Sequence, residues 1–512
     1  MAEVIKRIIV LGGGTAGWLS AAILAKKHAG RFPHSGIQIT LIESAEIAVI
    51  GVGEGTWPTM RSTLAKIGIS ESQLIQQCSA TFKQASKFVN WIKASNDVYY
   101  HPFTEPQGFS KVDPAAYWQG SAADGNFAQA VCFQHYLCEA GLAPKTIAHK
   151  EYEAAANYGY HLDAAKFITL LRNHCIEQLG VEYICDTVEH VMQHDNGDIR
   201  ALHTKQHGEL EAQLFIDCSG MNSLLMAKTL QVPLVTYENI LHADTALTTQ
   251  VAYATEDAPI ACYTVATAQD AGWIWDIGLQ HRRGLGYVYS SQYCSDQQAQ
   301  DTLARYIGAE SADQARKIRF TPGHRAVLWK NNCVAIGLAS GFLEPLEAAG
   351  IMLIETSANF VADQLPADSA LIPLVAKRFN SLMLKKWQGV IDFIKLHYTL
   401  SERTEPYWQG HREPGSIPES LQEQLALWRY RSPSEYDFID QAEPFSAASY
   451  QYILYGAGFR TDFEPMRHLY QQQELAKKQR ALTLQRIEQL RLNLPKHREL
   501  INKVKTLGFA KL

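Results

Sequence analysis

The 512 residues are 46% hydrophobic and 19% charged, and they carry a formal charge of −5. A chain of this length and composition is globular, built as two packed units or as one large domain with insertions, and it is not a disordered protein. Its acidic balance speaks against nucleic acid or an anionic membrane as a partner, and its nine scattered cysteines, without any CxxC, fit reduced thiols rather than a disulfide frame or a zinc site.

The N-terminus reads as strand, turn, helix and strand. KRIIVLGG is a short apolar run ended by glycines, AGWLSAAILAKK has helical spacing, and IQITLIES is a second strand. This βαβ unit predicts a parallel sheet. The start shows no signal-peptide pattern and no apolar run is long enough to span a bilayer, so the expected location is cytoplasmic. Val181–Gly220 is strand-rich, from VEYICDTVEHVM through IRALHTK to AQLFIDCSG. GWIWDIGLQHRRGLGYVYS reads as two strands around a glycine turn, which puts Trp273 and Trp275 on one face. CVAIGLASG is a buried strand with a turn behind it, and Ala348 to about Leu365 is a helix. After Pro366 the chain turns helical and polar, and Gln471–Lys505 predicts a solvated helix pair broken at Pro495.

GGGTAG places Gly12, Gly14 and Gly17 in a GxGxxG that follows a strand and opens a helix. The first glycine permits a tight turn, the second lets the backbone approach a pyrophosphate, and the third lets helix and strand pack closely. The helix N-terminus then offers N–H groups to phosphate, and Glu43 ends the next strand where a ribose hydroxyl needs an acceptor. Together these features predict dinucleotide binding. Only one such fingerprint occurs, so a second domain for NAD(P)H is not expected and the electrons arrive another way.

Taken in order, GGGTAGW, GVGEGTWP (Gly51–Pro58), TFKQASKFVNW (Thr81–Trp91), LFIDCSG (Leu214–Gly220), GWIWDIGL and GFLEPLEAAGI (Gly341–Ile351) resemble the flavin-dependent tryptophan halogenases over most of the chain. The resemblance implies an α/β fold with a discontinuous, Rossmann-like FAD-binding domain over 1–80 and 155–365. An interleaved, largely helical substrate domain would cover 81–154 and 366–512. It implies FAD used as FADH2, with O2 and halide as co-substrates, and it adds Gly53 and Gly337 to the cofactor site. The partners it implies are a separate flavin reductase and a small aromatic substrate; a homodimer is the assembly it admits, and neither a metal, a membrane nor nucleic acid is expected.

In that family the halide, chloride or bromide, becomes hypohalous acid, which must reach an organic substrate without escaping. Lys83 stands at the position of the family's catalytic lysine, either as an ammonium donating a hydrogen bond to the acid or as a neutral amine forming a haloamine, the second being favoured by burial. Lys87 is its competitor at i+4, on the same face if the segment is helical. Glu347 matches the family glutamate that works near the lysine as base or orienting group, while Glu344 is read as structural. Many members continue with Ser-Thr-Gly where this chain has Ala348, Ala349 and Gly350; the halide site, which uses backbone N–H groups, would still be offered by Ala349 and Gly350 at a helix start. The family's WxWxIP motif, held to block substrate from the flavin, is present as Trp273, Trp275 and Ile277 with Gly278 in place of proline.

His101, Phe103 and, more loosely aligned, Phe445 match substrate-lining positions. The stretch Ser432–Tyr452 lacks the Tyr/Glu/Trp set that grips the amino-acid group of free tryptophan, so an indole or another electron-rich arene is the expected substrate. The alternatives are an aromatic monooxygenase of the same fold, or a flavoprotein-like binding protein that has lost catalysis.

Overall fold

The computed structural model describes residues 3–30, 36–46, 53–119, 125–309, 312–438 and 443–511. Gly51 and Val52 of the second motif, and residues 439–442 of the C-terminal stretch, therefore lie outside the described residues. The elements that position the site are, in chain order, β1 (Arg7–Leu11), α1 (Thr15–His28), β2 (Gln38–Glu43), β3 (Thr81–Lys83), β4 (Ala85–Val89), β5 (Val98–Pro102), β6 (Gly159–Leu162), β7 (Glu182–Cys185), β8 (Leu214–Asp217), β9 (Thr245–Ala252), β10 (Thr264–Gln269), β11 (Gly272–Gly278), β12 (Arg282–Tyr289), β13 (Arg316–Arg319), β14 (Trp329–Lys330), β15 (Cys333–Ala335), α2 (Ala349–Asp363), α3 (Ile372–Thr399) and α4 (Ala447–Gly456).

The chain divides into two compact units. The first comprises Met1–Cys78, Asp163–Thr236 and Thr321–Trp387. Its six-stranded sheet runs β14-β15-β8-β1-β2-β7, parallel except for the edge strand β14. Strands covered on both faces must be continuously apolar, and β1 and β8 are: Ile8, Ile9 and Val10 pair with Leu214, Phe215 and Ile216, all buried. Ile9, Leu11, Ile42, Ile184 and Phe215 join Leu225 and Met226 in one core.

The second unit comprises Ser79–Leu162, Tyr237–Phe320 and Gln388–Leu512. It holds a seven-stranded sheet in the order β13-β9-β12-β11-β10-β4-β5, in which only the β10–β4 pair is parallel. Residues 237–320 thus belong with 79–162 and not, as expected from the sequence, with the dinucleotide unit. The physical reason is the ladder itself: Thr264–Thr267 pair with Ser86–Val89 and so continue the sheet of β4 and β5. The turn between β11 and β12 is Leu279–His281, not a glycine turn. Among the described residues, no helix is long and apolar enough to cross a membrane.

Candidate active site

In the first unit, β1 runs into the glycine turn and α1. The three glycines differ in what surrounds them. Gly12 has φ +117°, and a side chain there would run into the carbonyl of Cys218. One at Gly17 would strike the carbonyl of Gly12. At Gly14, the N-cap of α1, an added Cβ meets nothing within 4 Å. The turn is therefore sealed on the protein side and open where the helix presents its first N–H groups, with no side-chain cap in the way. Glu43, at the end of β2, lies against Gly13 and accepts a hydrogen bond from the Tyr183 hydroxyl at 2.7 Å. Gly337 has φ +71°, and a Cβ there would press on Ala16 of α1. Gly53 is partly exposed and precedes Glu54, whose carboxyl burial pushes up to about 7 against the lowering effect of a 3.4 Å bond from Thr15. An open cradle at a free helix N-terminus with a carboxylate on the neighbouring strand fits the pyrophosphate and ribose of FAD.

The same unit carries the EPLEAAG turn. Glu347 (φ 63°, ψ 3°) and Ala348 (φ 55°, ψ 41°) are consecutive left-handed residues, neither of them glycine. The indole N–H of Trp57 donates to the Glu347 carbonyl at 2.8 Å, which ties the GTWP and EPLE motifs together. Glu347 is buried. Ala349 and Gly350 open α2, a helix of 15 residues with no acidic side chain in its first turn and no side-chain cap, so its N-terminal field favours an anion. Farther along α2, Glu355 accepts from Thr59 at 3.0 Å and Thr63 at 2.5 Å, and burial raises its carboxyl to about 7.

In the second unit Lys83 ends β3, and the segment is strand rather than helix. Lys87 is therefore not on a shared helical face; it lies on β4 in an ion pair with Glu139 at 2.9 Å. Lys83 is buried, with Nζ 5.2 Å from the centre of the Phe103 ring. Its strand is pinned from several sides. Thr81 donates its hydroxyl to the Gly278 carbonyl at 2.6 Å, and Gln280 Nε2 donates to the Ala80 carbonyl at 2.9 Å. The Phe82 N–H donates to His497 Nε2 at 3.0 Å, the Gln84 N–H to the Cys262 carbonyl at 2.7 Å, and the Gln84 amide to the Leu142 carbonyl at 2.7 Å.

The two tryptophans of β11 have different surroundings. Trp273 is buried in an aromatic cluster with its ring 6.1 Å from that of Trp91, which in turn lies 5.2 Å from Trp408. The Trp275 indole lies over Gly286, its cross-strand partner. The missing proline has a local cause: at Gly278 a Cβ would come within 2.7 Å of Ile260 Cγ2 and 3.0 Å of the Tyr253 hydroxyl.

His101, at the end of β5, has ring contacts with Phe393 at 5.6 Å, Tyr452 at 6.2 Å and Phe445 at 6.5 Å. Phe445 stacks directly on Phe393, centroid to centroid 3.6 Å. Phe393 and Tyr452, which carry no motif in the sequence, thus join His101 and Phe445 in one aromatic cluster. Their only signal was helical spacing of aromatics in α3 and α4, the ordinary mark of a core. Also missed were the part played by Thr81, the first residue of the lysine motif, and His161 in the alternating run YGYHL.

Comparison with known proteins bears on both units. The family described as Tryptophan halogenase matches residues 7–472. The tryptophan 6-halogenase SttH of Streptomyces toxytricini is 32% identical over 474 residues, covering 88% of this chain and 89% of that protein. Among solved structures, a tryptophan halogenase from Shewanella frigidimarina NCIMB 400 superposes with a TM-score of 0.95 at 48% identity, covering 99% of each chain. The flavin-dependent halogenase BrvH from Brevundimonas sp. BAL3 superposes with a TM-score of 0.86 at 31% identity, covering 98% of this chain and 99% of that one. With its glycine turn, its buried Lys83 and its EPLE turn inside a match of this extent, the chain belongs to the flavin-dependent tryptophan halogenase family.

Proposed function

We propose that this halogenase places a halogen on an electron-rich, indole-type arene other than free tryptophan, using FADH2 supplied by a separate reductase, with O2 and halide as co-substrates. Reduced FAD supplies the two electrons with which dioxygen turns halide into hypohalous acid. The net step at the substrate is Ar–H + HOX → Ar–X + H2O. Gly12, Gly14, Gly17, Glu43, Gly53 and Gly337 hold the cofactor, and the N–H groups of Ala349 and Gly350 attract the halide. Lys83 handles the electrophile through its amine, and Glu347 orients it or takes the proton that leaves the ring carbon. Trp273 and Trp275 keep the arene from the flavin.

The observation that carries this reading is the setting of Lys83: a buried amine over the Phe103 ring, at the end of a strand pinned by Thr81, Phe82 and Gln84. A surface lysine has no need of such fixing, whereas group transfer does. A K83A variant is expected to lose halogenation while halide-dependent oxidant still forms; halogenation at the wild-type rate overturns the assignment.

The substrate class is supported by the Phe393–Phe445 stack and by hydroxyls already engaged within the unit: Tyr452 donates to the Thr104 carbonyl at 2.8 Å and Tyr450 to Glu443 at 3.1 Å. A surround of this kind is apolar and aromatic and has little with which to hold an amino-acid group. In competition, simple indoles should be halogenated ahead of free tryptophan; a strong preference for free tryptophan refutes the substrate class.

A further inference from the structure

β3 and β6 form an antiparallel pair in which Thr81 faces His161, Phe82 faces Tyr160 and Lys83 faces Gly159. Side chains alternate across such a pair, so Thr81, Lys83 and His161 share one face, while Phe82 turns to the other to meet Tyr158, Tyr160 and His497. The residue directly opposite Lys83 is a glycine, and nothing crowds the lysine from that position. The diagonal neighbour is His161, a distance that an imidazole and a lysine stem span.

His161 is fully buried. Its Nε2 lies 2.8 Å from the Thr264 hydroxyl. Its Nδ1 is also buried and has no hydrogen-bond partner among the described residues. Leaving a buried ring nitrogen unpaired is costly, so an orphan of this kind calls for a reason. Burial, then the charge of Lys83, then His497 hold the imidazole well below its ordinary pKa, so the ring is neutral. A neutral ring whose Nε2–H donates to Thr264 carries a bare acceptor at Nδ1, on the lysine's face of the sheet.

We propose that His161 is a positioning residue for Lys83, its unpaired Nδ1 accepting a hydrogen bond from the amine when the amine turns toward it during transfer and so fixing the direction in which the amine presents the halogen to the arene. The inference rests on the role assigned to Lys83 above. It concerns no step of oxidant formation, so it separates transfer from generation.

Two near-isosteric replacements distinguish this role from a structural one. In H161N the side-chain oxygen sits where Nδ1 was and the bond to Thr264 is lost. In H161Q the amide reaches Thr264 and the acceptor beside Lys83 is lost. The full-length enzyme, supplied with FADH2 by a reductase and with bromide and an indole, is assayed for brominated product and for hypobromous acid trapped by a diffusible scavenger, alongside melting temperature.

H161Q is expected to lower kcat for brominated indole about tenfold with KM unchanged and trapped acid increased, while H161N stays within about twofold of wild type. Rescue by glutamine with failure of asparagine overturns the proposal in favour of a structural bond to Thr264. Wild-type ratios of product to trapped acid in both variants overturn it as well. K83A, run in parallel, reports on the reading beneath: full activity there removes the role of Lys83 itself, whereas an inactive K83A beside unaffected His161 variants removes only the role of His161.

Discussion

Gly278 stands where the family motif has proline, and restoring the family residue should damage this protein. The backbone at 278 needs no left-handed conformation, so the constraint is space. An ideal Cβ comes 2.7 Å from Ile260 Cγ2, 3.0 Å from the Tyr253 hydroxyl and 3.3 Å from the Ala261 nitrogen. Ile260 is itself buried and β-branched, and it has little freedom to swing away. Overpacking of this kind costs about 1–3 kcal/mol, which sets the expectation for G278A near 2 kcal/mol. Proline adds a ring and removes an N–H at the end of β11, for a total of about 3 kcal/mol or more.

The damage should also reach the lysine. The Gly278 carbonyl accepts the Thr81 hydroxyl at 2.6 Å, two residues before Lys83, so any shift of the backbone at 278 loosens β3. The assay is thermal melting of wild type, G278A and G278P, with halogenation of an indole measured on each. Melting should fall in the order wild type, alanine, proline, and product per FADH2 consumed should fall with it. A G278P enzyme that melts at or above wild type refutes the reasoning, because Ile260 and Tyr253 would then not be what holds the position.

The glycine turn gives a second test: G14A should fold with an unchanged melting temperature yet bind FAD at least about tenfold more weakly, whereas G12A should destabilise the fold itself through the Cys218 carbonyl, as FAD titration and melting would show. Glu355 gives a pH dependence. Its carboxyl rises from 4.5 to about 7 in the fold, so its contribution is complete below pH 4.5 and is lost as pH rises through 7. Relative to E355Q, the wild type should therefore lose up to about 3 kcal/mol between those limits, and parallel stability curves for the two proteins would contradict this. Finally, A348G should relieve a left-handed alanine and stabilise the protein by up to about 1 kcal/mol while lowering halogenation; equal or higher activity would mean that the turn does not serve Glu347.

What the sequence disclosed and what it hid follow from the range of the interactions involved. The βαβ start and the helix after EPLEA are local: apolar period, glycine spacing and strand length lie within a few residues of one another, and β1, α1, β2 and α2 fall where the pattern put them. The placement of 237–320 is not local. It depends on Thr264–Thr267 lying beside Ser86–Val89, a parallel pairing across a long stretch of chain that leaves no mark on either segment. The strand at Thr81–Lys83 is three residues long and too short for any period to assert itself, which is why Lys87 could be placed beside Lys83 on a helix that does not exist. His161 and Phe393 come to stand beside candidate site residues only through neighbours brought by the fold.

The EPLEAAG turn shows how the fold accommodates a departure from the family pattern. A left-handed conformation costs an L-residue about 1–2 kcal/mol, and here two occur in succession without a glycine. Such a turn persists only if its surroundings over-determine it. They do: the Trp57 indole clamps the Glu347 carbonyl, and the Ala348 N–H closes on the Pro345 carbonyl at 3.0 Å. Neither bond uses a side chain at 348, so alanine can replace serine there without loss of the turn. What the strain secures is direction, since the same two residues that set Glu347 also begin α2, whose first N–H groups are those of Ala349 and Gly350. A carboxylate and an anion-attracting helix end are thereby fixed to one another through two peptide units, and under the roles proposed for Glu347, Ala349 and Gly350 it is this rigidity, more than the identity of residue 348, that the chemistry would use.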